Sequence, residues 1–395
     1  MDNLGLIITT LGALLLVGLV GDLASRRLPV PRVTLLIVFG VVIGPILGAM
    51  PEQAEDWYPF VSDLALLMVG FLLGGKLSRK TLREVGRHVV VISLFEVAGV
   101  CLCVLFGLLA AGVKVEIALL LAGIAPASAP AAVTNVVQEL KARGRYTDTL
   151  LGIVAIDDAW GLIVFSVLLA SVQVVAGGAD GGAVEALLRG GRELGGAILL
   201  GLVVGVPAAL LTGRLQPGEP TQAEALGVVL LAGGAAIWLE VSFLLTAMVV
   251  GATIVNLARH HDRPFVEIEN IEWPFMVLFF ILAGASLHVE QLMHVGLIGV
   301  AYIFLRAVGL VLGAFAGGSV SGAEPRVRRW MGLAIMPQAG VALGMALVAG
   351  NSFPELRDTL LPLVIGSTVV FELLGPALTR MAILRAGEGR RESGG

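Results

Sequence analysis

The sequence predicts an all-α polytopic membrane protein with thirteen transmembrane helices. Composition is the first observation behind this prediction, because 57% of the 395 residues are hydrophobic and only 14% are charged. This balance is typical of helical membrane proteins rather than of soluble ones. The second observation is a series of apolar stretches of roughly 17–25 residues, the length that a helix needs to cross a bilayer. The third is an internal repeat that relates the two halves of the chain.

Polar segments separate thirteen apolar stretches that are long enough to span a bilayer. They cover residues 4–21, 33–50, 58–75, 88–112, 115–138, 147–176, 186–212, 223–239, 241–258, 273–288, 292–318, 330–350 and 359–384. Because little of the chain lies outside them, residues 1–395 are predicted to form a single membrane domain with a short cytoplasmic tail at 385–395.

The basic residues predict the orientation of the chain in the membrane. Of the 26 Lys and Arg residues, 21 fall in alternate polar segments, at 26–32, 76–87, 141–145, 214, 259–263, 326–329 and 380–391. The opposite segments hold only Lys114, Arg189, Arg192 and Arg357, and an acidic run at 51–56. Because basic loops stay on the cytoplasmic side, the N-terminus is predicted to lie outside and the C-terminus in the cytoplasm.

An offset of 210–211 residues aligns parts of four consecutive spans with later ones. GIAPASAP at 123–130 lies over AIMPQAGV at 334–341, and TLLGIVAIDD at 149–158 lies over TLLPLVIGST at 359–368. The offset matches each span to the seventh span after it. Because consecutive spans cross the membrane in opposite directions, spans that are seven apart have opposite orientations. This inverted-repeat plan is typical of secondary transporters. It predicts two six-helix repeats and makes the span at 186–212 the linker helix between them.

Asp157 and Asp158 lie side by side in the middle of one apolar span. A carboxylate at bilayer depth costs roughly 2.5–3.5 kcal/mol on insertion scales, so such residues usually serve a function. The repeat places Glu96 and Arg306, which are 210 residues apart, at equivalent depths near this pair. Arginine stays charged and is expected to need a carboxylate neighbour there. Three acids and one base leave a surplus of negative charge, which a bound cation or protons must neutralise.

Two spans at matching repeat positions are predicted to be interrupted. Pro126 and Pro130 lie near the centre of one, and Pro337 and Gly340 lie at the matching depth of the other. Proline removes a backbone donor and clashes with the preceding turn, so each helix should break there. Crossed, interrupted helices would bring free carbonyls and helix ends to the membrane centre. Ser128 offers a hydroxyl at this depth and Gln338 an amide.

Several motifs, in order along nearly the whole chain, resemble the monovalent cation:proton antiporter superfamily in its bacterial sodium/hydrogen exchanger form. They are APASAPAA, IVAIDDAWG, FFILAGASL, Arg306 and GLAIMPQAGVALG. The resemblance implies that Asp158 is the ion-binding acid and that Asp157 pairs with Arg306. It leaves the preferred cation open, because Ala127 and Ala129 flank Ser128 where relatives often carry a further side-chain oxygen.

The resemblance also divides the membrane domain into two parts. Residues 88–176 and 292–384 would form the ion-transporting core. Residues 1–75 and 223–288 would form the scaffold through which a homodimer assembles.

The predicted activity is exchange of Na⁺, Li⁺ or K⁺ for H⁺ by alternating access across the inner (plasma) membrane, with the cation held by Asp158 and Asp157. No cofactor, nucleic acid or enzymatic activity is expected. A cation channel or a non-transporting membrane sensor on the same scaffold stays an alternative. An intramembrane aspartyl protease is a remote one, because adjacent residues of a helix point about 100° apart and cannot face each other.

Overall fold

The computed structural model describes residues 2–25, 32–51, 54–79, 86–176, 182–211, 221–258, 262–285 and 296–389. Within these ranges every regular element is a helix, and the extended backbone pairing is a single antiparallel bridge between Ser128 and Gln338. The predicted all-α class is therefore confirmed for the described part of the chain. Several of the basic loop positions and residues 390–395 of the predicted tail lie outside the described residues.

The helices follow the predicted spans. They are Asp2–Ser25, Arg32–Val41 with a π-helical turn at Val42–Ile46, Ala54–Lys76, Gly86–Ala110, Val115–Ile124, Pro130–Glu139, Arg145–Ala176, Gly182–Leu211, Thr221–Trp238, Phe243–Leu257, Asp262–Ala285, Gly296–Val320, Pro325–Ala334, Val341–Ser352 and Pro354–Ala386. Six of the described helices are by themselves long and apolar enough to cross a membrane, and the shorter apolar ones lie between them. The total of thirteen crossings and the sides of the termini stay predictions.

Two spans are interrupted at their prolines, as the sequence predicted. The first broken span ends one half-helix at Ile124 and starts the next at Pro130, which is the first helical residue. Proline is well suited to that position, because its missing N–H has no partner in the first turn of a helix. The second broken span, Pro325–Ala334 followed by Val341–Ser352, opens around Pro337. The two openings lie against each other through the bridge between Ser128 and Gln338.

Close glycine contacts relate the two halves of the molecule as the sequence repeat predicts. A Cβ atom at Gly40 would lie 2.0 Å from the carbonyl oxygen of Ile281, and one at Gly251 would lie 2.1 Å from that of Phe71. Gly40 and Gly251 are 211 positions apart, and Phe71 and Ile281 are 210 apart. Each half therefore supplies one glycine and one backbone carbonyl to a pair of equivalent helix crossings. Such reciprocal contacts are what a two-fold relation between the repeats requires.

A third glycine crossing positions the charged residues of the two halves. The helices Gly86–Ala110 and Gly296–Val320 pack closely along each other. A Cβ at Gly99 would lie 2.6 Å from the Cα of Gly313, and one at Gly313 would lie 2.7 Å from the Cα of Glu96. The absence of side chains lets the two backbones touch. This brings the helix of Glu96 against the helix of Arg306.

Candidate ion-binding site

Asp157 is held by two serine hydroxyls. It lies on the helix Arg145–Ala176 and is fully buried. Its Oδ1 accepts a hydrogen bond from Ser93 at 3.1 Å, and its Oδ2 accepts one from Ser128 at 2.9 Å. Hydrogen bonds to a buried carboxylate compensate part of the cost of removing it from water. Asp157 is therefore fixed by contacts from both the first broken span and the helix Gly86–Ala110.

Glu96 faces Asp157 from the helix Gly86–Ala110. The two carboxyl groups lie beside each other, and both are fully buried. Neither oxygen of Glu96 has a hydrogen-bonding partner of good geometry among the described protein groups. A hydrogen bond between two carboxyl groups needs one of them to carry the proton. A proton shared by Glu96 and Asp157 would relieve the repulsion between their two buried carboxyl groups.

Asp158 has a different environment from Asp157, although the two are adjacent. Its side chain faces the backbone of Ser128 in the first opening and is only 3% exposed. Its Oδ1 has no hydrogen-bonding partner among the described protein groups. Lys76 acts on it electrostatically from the end of the helix Ala54–Lys76. Asp158 is therefore a buried carboxylate with one oxygen that no described protein group occupies.

Arg306 corrects one expectation from the sequence, which was a direct ion pair with a buried carboxylate. Its guanidinium instead donates three hydrogen bonds to backbone carbonyl oxygens. They run from Nε to Ala125 at 2.9 Å, from Nη1 to Met336 at 2.9 Å and from Nη2 to Ala127 at 3.0 Å. These carbonyls belong to both openings and lack a partner within their own helix because the helices are interrupted there. The Ala127 carbonyl also accepts from the N–H of Ala339 at 3.3 Å. Arg306 therefore ties the two broken spans together.

The charge of Arg306 still compensates the acids at longer range. Glu96 and Asp157 both lie within electrostatic range of its guanidinium. The guanidinium also stacks over the ring of Phe371, with 4.3 Å between its central carbon and the ring centroid. A fully buried arginine with a hydrogen bond from each of its three nitrogens and a ring beside it is a stable arrangement. Its charge-compensating role stays a prediction, while its hydrogen-bonding partners differ from those expected.

The second opening supports the first through the backbone. The N–H of Ala129 donates to the carbonyl of Pro337 at 2.8 Å. Gly375 lets the helix Pro354–Ala386 lie against the second opening, since a Cβ there would lie 2.7 Å from the Cα of Pro337. Gly340 has an ordinary helical φ of −60°. Gly340 instead leaves room for the ring of Phe280, because a Cβ at Gly340 would lie 2.4 Å from that ring.

Two residues of the site, Ser93 and Lys76, were not predicted from the sequence. Ser93 lies three positions before Glu96 on one helix face, a spacing that could have indicated it. A serine inside an apolar helix usually bonds to its own backbone, so it carried no signal by itself. Lys76 is near Asp158 only because of the tertiary packing. Within the described ranges, no group of three or more His, Cys, Asp or Glu side chains is arranged to hold a metal ion.

A match to a protein-family model identifies the family of the chain. The model described as "Sodium/hydrogen exchanger, transmembrane" matches residues 11–383. The chain belongs to the sodium/hydrogen exchanger family. The matched region of this exchanger includes both broken spans, the helix that carries Asp157 and Asp158, and Arg306. The site built above therefore lies inside the family's transmembrane domain.

Two curated proteins are similar to this exchanger over most of its length. The K(+)/H(+) antiporter subunit KhtU of Bacillus subtilis is 24% identical over 407 residues, covering 96% of this chain and 94% of its own. The ammonium/H(+) antiporter subunit AmhT of Alkalihalophilus pseudofirmus is 20% identical over 350 residues, covering 86% of each chain. These matches agree with membership of the monovalent cation:proton antiporter superfamily.

Solved structures support the fold of the exchanger. The sodium proton antiporter MjNhaP1 of Methanocaldococcus jannaschii, determined at pH 8, superposes with a TM-score of 0.70 at 20% identity and covers 97% of both chains. An electron microscopy map of the same antiporter gives a TM-score of 0.72 at 19% identity, covering 98% of this chain and all of the other. At this level of identity the likeness establishes the fold.

Proposed function

We propose that the protein is a secondary active antiporter that exchanges one monovalent cation, Na⁺, Li⁺ or K⁺, for one proton by alternating access. The observation that carries the proposal is the contrast between the two adjacent aspartates. Asp157 is fixed by serine hydroxyls and Glu96, whereas Asp158 is buried with one oxygen free of protein partners. Asp158 is the group that the cation and the proton occupy in turn, and Ser128 borders the same position.

The charges of the buried groups support an exchange of one for one. Arg306 contributes one positive charge, and the Glu96–Asp157 pair contributes one negative charge when it shares a proton. Asp158 adds one more negative charge, so these four buried groups together carry a single net negative charge when no ion is bound. One monovalent cation or one proton neutralises it. Because both cannot occupy Asp158 together, binding of one releases the other.

The packing of the helices supports a division into a core and a scaffold. The helices Gly86–Ala110 and Gly296–Val320 pair within the predicted core, and Ala54–Lys76 and Phe243–Leu257 pair within the predicted scaffold. Alternating access then consists of movement of the core, 88–176 and 292–384, against the scaffold, 1–75 and 223–288. The helix at 186–212 links the repeats.

The exchange takes place across the plasma membrane. The protein has thirteen spans in the plasma membrane, with its N-terminus outside and its C-terminus in the cytoplasm, and it forms a homodimer through the scaffold. The orientation is supported by the distribution of basic residues over alternate segments.

The decisive variant is Asp158→Asn. In proteoliposomes loaded with a pH-sensitive dye, addition of cation should release protons from the parent protein, and the variant should show no cation-dependent signal. Asp148→Asn is a matched control, because Asp148 is an exposed aspartate in the first turn of the same helix. Retained exchange in Asp158→Asn would refute the assignment.

A second comparison separates an antiporter from a channel. Exchange of one cation for one proton transfers no net charge, so its rate should not change when a membrane potential is imposed. A channel would carry current and would not couple cation entry to proton release. Comparing Na⁺, Li⁺, K⁺ and ammonium in the same assay identifies the cation; ammonium and K⁺ are included because the names of the two curated relatives contain them.

A further inference from the structure

A group of buried polar side chains lies beside the carboxylate site and takes no part in the exchange described above. We call it the neutral cluster and define it as Tyr302, Gln338 and Ser367. Each is at most 1% exposed. The Tyr302 hydroxyl lies beside the Gln338 side chain. The Tyr302 hydroxyl and the Gln338 Nε2 have no hydrogen-bonding partner of good geometry among the described protein groups.

The third member of the cluster does not satisfy Gln338. The Ser367 hydroxyl has two acceptors within reach, the Val364 carbonyl at 2.9 Å and the Gln338 Oε1 at 3.5 Å. A hydroxyl has one proton to donate, and the shorter contact takes it. Both ends of the Gln338 amide are therefore left with unused hydrogen-bonding capacity in the interior of the protein. Buried polar groups in this state normally bind a further polar partner.

The neutral cluster is the repeat counterpart of the carboxylate site. The offset of 210 that relates the halves places Ser367 at the position of Asp157, and Thr368 at that of Asp158. Thr368 is also fully buried, and its hydroxyl has no partner among the described protein groups. The bridge between Ser128 and Gln338 lies between the two sets of residues. One half of the crossing therefore carries acids, and the other half carries uncharged donors and acceptors.

The chemistry of the neutral cluster selects a small uncharged ligand. Its free groups include the amide N–H₂ of Gln338 and the phenol of Tyr302, and a set rich in N–H and O–H donors does not favour a cation. Arg306 lies within electrostatic range of Tyr302 and disfavours a cation further. The negative charges of Glu96 and Asp157, which lie within range of the same guanidinium, offset its attraction for an anion. A molecule that both donates and accepts, and that fits between close-packed side chains, meets these conditions.

We propose that the neutral cluster is a binding site for ordered water, held by Gln338 and Tyr302 on the repeat-related side of the carboxylate site. The two repeats thus meet at one crossing but bind different ligands there. The cation or proton binds at the carboxylate site, and water binds at the neutral cluster. The proposal stands on buried hydrogen-bonding groups and does not depend on the exchange reaction.

Radiolytic hydroxyl labelling tests the site directly, because microsecond X-ray pulses create hydroxyl radicals from water next to the side chain that they modify. The full chain in lipid nanodiscs is exposed, digested and analysed by mass spectrometry. Tyr302 should be labelled although it is fully buried. Phe279, an aromatic residue that is fully buried elsewhere, should not be labelled after correction for intrinsic reactivity. Labelling of Tyr302 at the level of Phe279 would overturn the proposal without any variant.

Gln338→Leu distinguishes bound water from bulk water that reaches Tyr302 in an open conformation. Loss of the amide should lower Tyr302 labelling several-fold, whereas access of bulk water does not depend on that group. Ser166→Ala is the control, because Ser166 is a buried serine that bonds only to its own helix, at the Leu162 carbonyl. Unchanged Tyr302 labelling in Gln338→Leu would also overturn the site.

Discussion

At the scale of the residue, Asp157 and Asp158 show how one helix can give two adjacent acids separate roles. Neighbouring positions of an α-helix point about 100° apart, so the two side chains meet different surroundings. Asp157 points toward Ser93, Ser128 and Glu96, and its oxygens are occupied. Asp158 keeps one oxygen free. A fixed acid and an exchangeable acid can therefore lie at the same depth without competing for the same hydrogen-bond donors.

The pairing of Glu96 with Asp157 predicts an unusual pattern of substitutions at Glu96. Glu96→Gln should retain exchange, because an amide N–H can donate to Asp157 in place of the shared proton. Glu96→Leu removes the donor, and a lost hydrogen bond to a charged group costs about 1.5–3 kcal/mol. The rate of cation-dependent proton release should then fall by about tenfold or more. Measurement uses equal amounts of reconstituted protein. If the Gln and Leu variants lost exchange equally, the shared proton would be the wrong description of the pair.

Arg306 predicts a loss of stability even for a conservative substitution. Arg306→Lys keeps the charge, but one ammonium group cannot reach three carbonyls held in the planar geometry of a guanidinium. Buried carbonyls of both openings would lose their donor, at about 1–3 kcal/mol each. The midpoint of thermal unfolding in detergent should fall clearly. Arg385→Lys serves as the control, because Arg385 stacks over Trp330 near the end of its helix and has no such role. Equal midpoints for Arg306→Lys and the parent would contradict this account.

At the scale of the element, the contact between Gly86–Ala110 and Gly296–Val320 depends on glycine. Gly313→Ala places a methyl group 2.7 Å from the Cα of Glu96, closer than real Cβ contacts allow. The backbones must separate, and Glu96 then moves away from Asp157. Both thermal stability and exchange should decrease, with overpacking of this kind costing typically about 1–3 kcal/mol.

Gly299→Ala is the matched control for that substitution. Gly299 lies on the same helix, and a Cβ there would have no neighbouring atom within 4 Å. Alanine also favours the helix over glycine by about 1 kcal/mol. Gly299→Ala should therefore be neutral or slightly stabilising in the same thermal assay. If Gly299→Ala lowered thermal stability as much as Gly313→Ala, the effect would come from alanine in this helix in general and not from the contact between the two helices.

At the scale of the whole molecule, the features that depend on a residue's own backbone or on the sequence repeat could be predicted, and those that depend on tertiary packing could not. The breaks at Pro126, Pro130 and Pro337 were predictable, because proline acts on its own backbone. The relation of the halves was also predictable, since a nearly constant offset survives in the sequence. The partners of Arg306 were not predictable, because any residue type supplies a carbonyl. Its acceptors could be known only after the openings were placed in space.

The contact between Thr34 and Glu372 tests whether the two proposed parts of the molecule move against each other. Thr34, on the helix Arg32–Val41 of the scaffold, donates a hydrogen bond to the Glu372 carboxyl on the core helix Pro354–Ala386. Both side chains are buried. Alternating access by movement of the core requires this contact to break during each cycle. The pair Thr34→Cys and Glu372→Cys, in a background with Cys101→Ala and Cys103→Ala, should therefore stop exchanging when Hg²⁺ bridges the thiols. An excess of a dithiol should restore exchange.

The matched pair lies within the core, so a bridge there should have no effect. Arg380 donates to Glu139 at 2.5 Å, and both residues belong to helices that the proposal moves together. Glu139→Cys with Arg380→Cys should accept Hg²⁺ and continue to exchange, since no motion separates the two helices. Mass spectrometry verifies bridging in both pairs. Full exchange by a bridged Thr34–Glu372 pair would mean that the core does not move past the scaffold at this contact, and arrest by the Glu139–Arg380 bridge would mean that the core is not one rigid unit.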